Sequence, residues 1–249
     1  QIFPRIDYYL DSSKPIIKNI NKSFLKKLEN KFPFLKFSYF KKGINLNSRA
    51  YDEITDNKKK SQKYIVFIDS YFDHPDRTTR EGKINKKIII TYYKRLSNLL
   101  KLLSKIINKK IIICIHPKNK NILFKKYFSK FTIKKHETTK MINNAFIVLF
   151  HESSAALDAI LLNKNIIILN SKLMGDYISK RITMYINLLG LFFIDLDDYY
   201  NLKKSDLNIN MQKSKKKYQI YIKNYLNSDG KVPGYKKVIN IIKKNFKST

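Results

Sequence analysis

Cysteine is almost absent from this sequence, acidic residues are scarce, and no apolar run is long. The single cysteine, Cys114, excludes a disulfide framework and any cysteine-based zinc site, which fits a reducing compartment such as the cytoplasm. It sits inside the run Ile111 to Ile115 and reads as a buried core thiol. Lys or Asn interrupts every Ile-rich stretch, so none reaches the ~18 apolar residues of a membrane span. With six glycines and neither a GxGxxG nor a GxxxxGK[ST] pattern, the usual dinucleotide-binding and P-loop NTPase readings are disfavoured. His74, His116, His136 and His151 show no H-x-x-x-H spacing, so no metal site is expected. The first residue is Gln1, with no initiator Met and no signal-type segment, and the expectation is either a piece of a longer chain, with 1–60 the remnant of a preceding region, or a chain whose N-terminal region is reduced.

What is present rules out disorder. The 249 residues are 43 % hydrophobic and 13 % aromatic, enough to bury a core. The 51 Lys and Arg against 19 Asp and Glu give a net charge of +32, which invites a nucleic-acid reading. Only six of the basic residues are arginine, however, and Lys rises together with Ile and Asn as in an AT-rich coding bias. Dedicated readers of nucleic acid favour Arg for its bidentate fork, so no specific nucleic-acid partner is expected. Scattered Lys suffices for peripheral contact with an anionic membrane, and the positive surface is expected to be diffuse.

From Tyr64 onward, short β-branched runs alternate with longer amphipathic segments. Strands are expected at Tyr64 to Asp69, Ile111 to Ile115, Phe131 to Lys134, Ala145 to Phe150, Asn165 to Leu169 and Phe192 to Leu196. Between them lie helical stretches near Lys86 to Ile107, Asn119 to Ser129, Thr138 to Asn143 and Ser153 to Leu162, and another within Leu173 to Leu189. Strands apolar throughout, alternating with helices, predict an α/β fold with a doubly wound parallel sheet. Such a sheet binds its ligand in the crevice at the carboxyl ends of the strands. Two Lys-rich helices, Met211 to Asn227 and Gly234 to Phe246, are expected to pack back on this domain, which then spans 61–249. Residues 1–60 lack the rhythm and show one helical pattern near Ile16 to Leu28 and a polar linker from Tyr51 to Lys63.

Three constellations fall at strand ends. His116 follows the second strand, and Pro117 stops that strand because it has no N-H for a ladder. An imidazole there can bind a phosphate or protonate a leaving oxygen. After the fourth strand, His151-Glu152-Ser153-Ser154-Ala155-Ala156 places two hydroxyls at a helix start, where free N-H groups favour an anion. After the first strand, the loop Asp69 to Arg77 mixes acids with His74 and Arg77, a composition suited to a general base or to acceptor binding.

These residues resemble a known family. A strand ending in His116-Pro117, then Ser153-Ser154 opening a small-residue helix, then the strand Ile166 to Leu169, is similar to the C-terminal half of GT-B glycosyltransferases, over roughly residues 64–200. The His-Pro and Ser-Ser pair resembles bacterial sialyltransferases, polysialyltransferases and some Kdo transferases that use CMP-activated sugars. The resemblance implies that His116 contacts the CMP phosphate and acts as general acid, with Pro117, Lys118, Glu152, Ser153 and Ser154 around the same phosphate. The family's acidic base motif, two acids then Gly, is absent, and the stand-ins are Asp69, Asp73, Asp76 and Glu81, with Asp73 preferred. The same resemblance implies a metal-independent transferase of capsule or lipooligosaccharide assembly, acting on a glycan or lipid-linked acceptor. Its donor is a CMP-sugar substrate and it holds no tightly bound cofactor. A UDP-sugar or CDP-alcohol donor on the same fold, a non-catalytic nucleotide- or glycan-binding module, and a nucleic-acid-associated α/β protein are the alternatives.

Overall fold

The computed structural model describes residues 6–11, 40–54, 62–75, 77, 79, 82, 84–211, 215–226 and 233–246. The chain divides into two compact units, one formed by 1–53 with 220–249 and the other by 54–219.

The larger unit is built on six strands: β3 (Tyr64–Ile68), β4 (Ile111–Cys114), β5 (Thr132–Lys134), β6 (Ala145–Phe150), β7 (Asn165–Asn170) and β8 (Phe192–Asp195). All are parallel, in the order β5-β4-β3-β6-β7-β8. Counted within this unit the order is 3-2-1-4-5-6, the doubly wound arrangement, with its topological switch between β3 and β6. The central strands consist of Ile, Val, Leu and Phe on both faces because helices cover both, and Ile65, Val66, Phe67, Ile147, Val148 and Ile167 are wholly buried.

The helices are α2 (Lys86–Ile107), α3 (Ile122–Phe128), α4 (Thr138–Asn143), α5 (Ala156–Leu161), α6 (Asp176–Leu189), α7 (Lys204–Met211) and α8 (Lys215–Tyr221). α2 occupies the predicted span. The Asn85 side chain accepts from the Lys87 N-H at its start, and it ends at Asn108 in the left-handed conformation. Its buried Tyr92, Tyr93, Leu96, Leu99, Leu100 and Leu103 form one face against the sheet. Cys114 is buried, and burial pushes its thiol up to about 11.

In the smaller unit, β1 (Ile6–Asp11) pairs in parallel with β2 (Phe40–Asn45), in register from Ile6 with Phe40 to Asp11 with Asn45. A short helix, α1 (Arg49–Ile54), occupies the start of the predicted linker. The expected Ile16 to Leu28 helix lies outside the described residues. The C-terminal helix α9 (Gly234–Phe246) matches its predicted span but belongs with the N-terminal segment rather than with the sheet. The Asp52 carboxylate is the reason: it accepts from the Gly234 N-H at 2.6 Å and from the Asn47 amide at 2.9 Å. A side chain at 234 would bring its Cβ within 3.1 Å of the Asn47 carbonyl oxygen, a tight contact that glycine avoids. The segment predicted as one helix over 211–227 is instead α8 followed by a π-helical turn at Ile222–Leu226, and the Ser48 N-H bonds the Leu226 carbonyl at 2.8 Å.

Candidate functional site

At the carboxyl ends of β3, β4, β6 and β7 the larger unit opens a cavity of about 400 Å³. It lies at the switch point of the sheet, where doubly wound folds bind ligands. The turns after these four strands supply its walls.

The loop after β3 is held by two carboxylates. Asp69 is buried; its Oδ1 accepts from the Tyr71 N-H at 2.9 Å, and its Oδ2 accepts from the His116 N-H at 3.1 Å and the Asn119 amide at 2.7 Å. Burial pushes the Asp69 carboxyl above its usual value, and the three hydrogen bonds act against that. Asp73 accepts from the Asn121 amide at 2.6 Å and from the Tyr93 hydroxyl at 3.2 Å, and it does not line the cavity. Both acids thus clip the loop after β3 to the loop after β4. Their hydrogen bonds hold the cleft together, and of these two expected bases Asp69 lines the cavity. Asp76 and Glu81 lie outside the described residues.

Tyr71, bonded to Asp69, takes the left-handed conformation at φ 56, an unusual choice for a bulky residue that a surrounding structure must enforce. It presents its ring to His74 at 5.1 Å and to His116 at 5.8 Å, and the two imidazoles lie 5.7 Å apart. One residue further, Phe72 turns inward and stacks on Tyr92 with centroids 3.8 Å apart. The Arg77 guanidinium lies over the Phe72 ring at 4.1 Å and donates to the carbonyls of Phe72 at 2.8 Å and Leu173 at 2.9 Å. A cation is thereby fixed in the cavity wall by main-chain oxygens and an aromatic face.

His116 follows β4 as predicted. Its Nδ1 accepts from the Lys118 N-H at 3.2 Å, so in the neutral imidazole the proton sits on Nε2, which is left to donate. Burial lowers the imidazole from its usual value, Asp69 opposes this, and His74 and Lys118 reinforce it. The resting group at neutral pH is therefore a hydrogen-bond donor rather than an imidazolium, and an arriving anion would draw it back towards the charged form.

Across the switch point, Glu152, Ser153 and Ser154 line the same cavity. The two serines precede the helix instead of opening it, since α5 begins at Ala156. The Ser153 hydroxyl accepts from the Ala155 N-H at 3.2 Å, and the Ser153 and Ser154 carbonyls accept from Ala156 and Leu157. The expected anion site at a helix terminus is thus a serine-rich turn before a six-residue helix, and the hydroxyls themselves are what it offers. Glu152 pairs with Arg181 at 2.6 Å, which removes most of its charge from the cavity. Its neighbour His151 is wholly buried and lies behind the site: Nδ1 faces the Leu169 carbonyl and Nε2 the Tyr92 hydroxyl, both at 2.7 Å. Met174, Tyr177 and Ile178 close the last side with apolar surface.

The structure therefore brings His116, Lys118, Glu152, Ser153, Ser154 and Asp69 to one cavity, and leaves Asp73 and Pro117 off its wall. Sequence reasoning assigned no particular role to Arg77, Tyr71 or the apolar wall. The scarcity of arginine, with only six in the chain, was the available signal for Arg77. Among the described residues no cluster of three or more His, Cys, Asp or Glu could hold a metal, and no helix is long and apolar enough to cross a membrane.

A six-stranded parallel sheet wound on both faces, open at its switch point, defines the larger unit as a Rossmann-like α/β domain of the kind that forms half of a GT-B fold. No family model matches the chain and no curated protein matches it in sequence. Solved structures do share the fold. A variant of the wall teichoic acid polymerase TagF aligns with a TM-score of 0.50 at 17% identity, over 97% of this chain and 58% of the polymerase. The UDP-GlcNAc 2-epimerase of Methanocaldococcus jannaschii, in complex with UDP-GlcNAc and UDP, aligns at 0.44 and 15% identity, over 89% of this chain and 59% of the epimerase. The MnaA protein of S. aureus, in complex with UDP, aligns at 0.45 and 14% identity, over 86% of this chain and 56% of that protein. The chain thus spans less than two thirds of each of these proteins, and the likeness to the polymerase is one of fold.

Proposed function

We propose that this chain is the donor-binding part of a transferase that moves a sugar, or a related alcohol, from a nucleotide-activated donor onto a glycan or lipid-linked acceptor. One observation carries the reading. Four separate strand ends at the switch point converge on a single cavity where Arg77, Lys118, His116 and His74 face Ser70, Ser153 and Ser154. Cations, imidazoles and hydroxyls in that arrangement suit a phosphate, and the apolar wall of Met174, Tyr177 and Ile178 suits the less polar remainder of a nucleotide. When the donor bond breaks, negative charge grows on the departing phosphate. Arg77 and Lys118 stabilise that charge electrostatically, and the His116 Nε2-H donates to it. Both serine hydroxyls hold the phosphate in place.

Among donors, a CMP-linked sugar is the reading we favour. It leaves as a monophosphate, whose charge such a cavity can hold through these side chains without a metal ion. The fold shared with a wall teichoic acid polymerase supports a transferase, and CDP-linked alcohols and UDP-sugars are the competing donors. Peripheral attachment to an anionic membrane fits α9, where Tyr235, Ile239 and Ile242 are exposed at i, i+4, i+7 between Lys236, Lys237, Lys243 and Lys244.

Calorimetric titration with CMP, CDP, UDP and inorganic phosphate tests the reading. The wild-type chain is expected to bind a pyrimidine nucleotide, with affinity reduced about tenfold or more in Arg77→Ala, since a charge-assisted contact contributes about 1.5–3 kcal/mol. Equal and weak binding of all four compounds by both proteins would remove the proposal.

A further inference from the structure

Positive charge is distributed unevenly over the sheet unit. From Gly82 to His136 the chain carries fifteen lysines and one arginine and no aspartate or glutamate, whereas 137–207 holds eight acids against seven Lys and Arg. The acid-free stretch folds as α2, β4, α3 and β5, one side of the strand order, and the balanced stretch contains β6, β7 and β8. Its single arginine, Arg95, is paired with Asp197, so lysines carry the charge of this side.

Between α2 and α3 this side has an open depression of about 220 Å³ that shares no residue with the cleft. α2 contributes Lys94, Asn98 and Lys101, which the i, i+4, i+7 spacing places on one helix face. α3 and the turn after it contribute Lys126, Ser129 and Lys130. Beneath them the buried Ser97 hydroxyl donates to the Tyr127 carbonyl at 3.1 Å and ties the two helices together. None of the four lysines forms an ion pair with a described carboxylate. Four exposed lysines with no acid among the residues lining this cavity give it a net positive charge, which favours an anion. Ammonium groups without a guanidinium fork suit a phosphate that is met as a charge from several directions.

We propose that the α2–α3 cavity is a second anion site, which takes the phosphate group of a small phosphate ester. It is independent of the donor cleft. Ser129 adds a hydroxyl to the four lysines, while the Asn98 side chain is hydrogen-bonded to Tyr199. Free in solution or as the headgroup of a lipid, such an ester presents the same chemistry.

The full chain is titrated with glycerol 3-phosphate and, separately, with phosphatidylcholine vesicles containing phosphatidylglycerol. The quadruple variant Lys94→Gln, Lys101→Gln, Lys126→Gln, Lys130→Gln is expected to weaken binding at least about tenfold while leaving nucleotide affinity unchanged. A second variant with Lys180, Lys204, Lys215 and Lys216 changed to Gln, which removes the same charge elsewhere on the surface, is expected to bind like the wild type. Binding of the soluble ester that the first quadruple variant weakens assigns the site to a free ester; binding of vesicles alone that this variant weakens assigns it to a lipid headgroup, and binding of vesicles alone that it leaves unchanged belongs to α9 and overturns the proposal. The proposal fails if both quadruple variants weaken equally, if the wild type binds neither probe, or if His116→Ala abolishes binding of glycerol 3-phosphate.

Discussion

His151 is wholly buried between the Tyr92 hydroxyl and the Leu169 carbonyl, and burial pulls its imidazole down to about 4. The carbonyl can only accept, so Nδ1 carries the proton and Nε2 accepts from Tyr92. The unfolded chain takes up a proton near the ordinary value of about 6.5, whereas the folded chain does so only near 4. Between those values the unfolded state binds more protons. The stability contributed by neutral His151 is therefore complete above about 6.5 and is lost progressively as pH falls towards 4, to the extent of about 3 kcal/mol. Denaturant unfolding from pH 8 to pH 4 should show this slope, and His151→Gln, although less stable at pH 7, should lack it. An equal slope in the variant would mean that other groups cause the acid sensitivity. His116, two strands over in the sheet, shows what a single residue discloses from sequence. Its place after an Ile run, before a proline, was sufficient to assign it to the crevice. The role of Arg77 was not legible, because its position depends on Phe72 inserting against Tyr92.

At the level of elements, the strands were legible because six Ile-, Val- and Phe-rich runs had to be covered on both faces. The loops joining them to the site were not. Asp69 and Asp73 stand in a polar strand-end loop, and only the fold shows that Asn119 and Asn121 come from the next strand's loop to meet them. Asp73→Asn is accordingly expected to keep the nucleotide affinity of the wild type and to lose about 1–3 kcal/mol of stability, because two donors are left poorly matched. Asp69→Ala removes three hydrogen bonds that position Tyr71 and His116, and is expected to weaken nucleotide binding about tenfold or more. Calorimetry on both variants beside their unfolding curves separates the two effects. Loss of nucleotide binding in Asp73→Asn, with stability intact, would place that carboxylate in the nucleotide site instead. α5 shows the same limit of sequence reading: Ser153 caps its own turn, so the helix starts three residues later than its hydroxyl suggests.

For the whole molecule, the division at residues 54 and 220 was hidden from the sequence because it depends on partners as far apart as Asp52 and Gly234. No local pattern marks a bond across 182 positions. The doubly wound order, in contrast, followed from the alternation of strands and helices, and that order places the cavity between β3 and β6. A nucleotide that binds only the folded chain should stabilise it by about 2.7 kcal/mol at a hundred times its dissociation constant, read as a rise in unfolding temperature. The most direct measurement of the central claim is a crystal structure of the chain soaked with CMP. The phosphate is predicted to lie within hydrogen-bonding distance of the His116 Nε2 and of the Ser153 or Ser154 hydroxyl, on the same side as Arg77. A CMP molecule bound at saturation with its phosphate away from His116 and both serines would contradict the account.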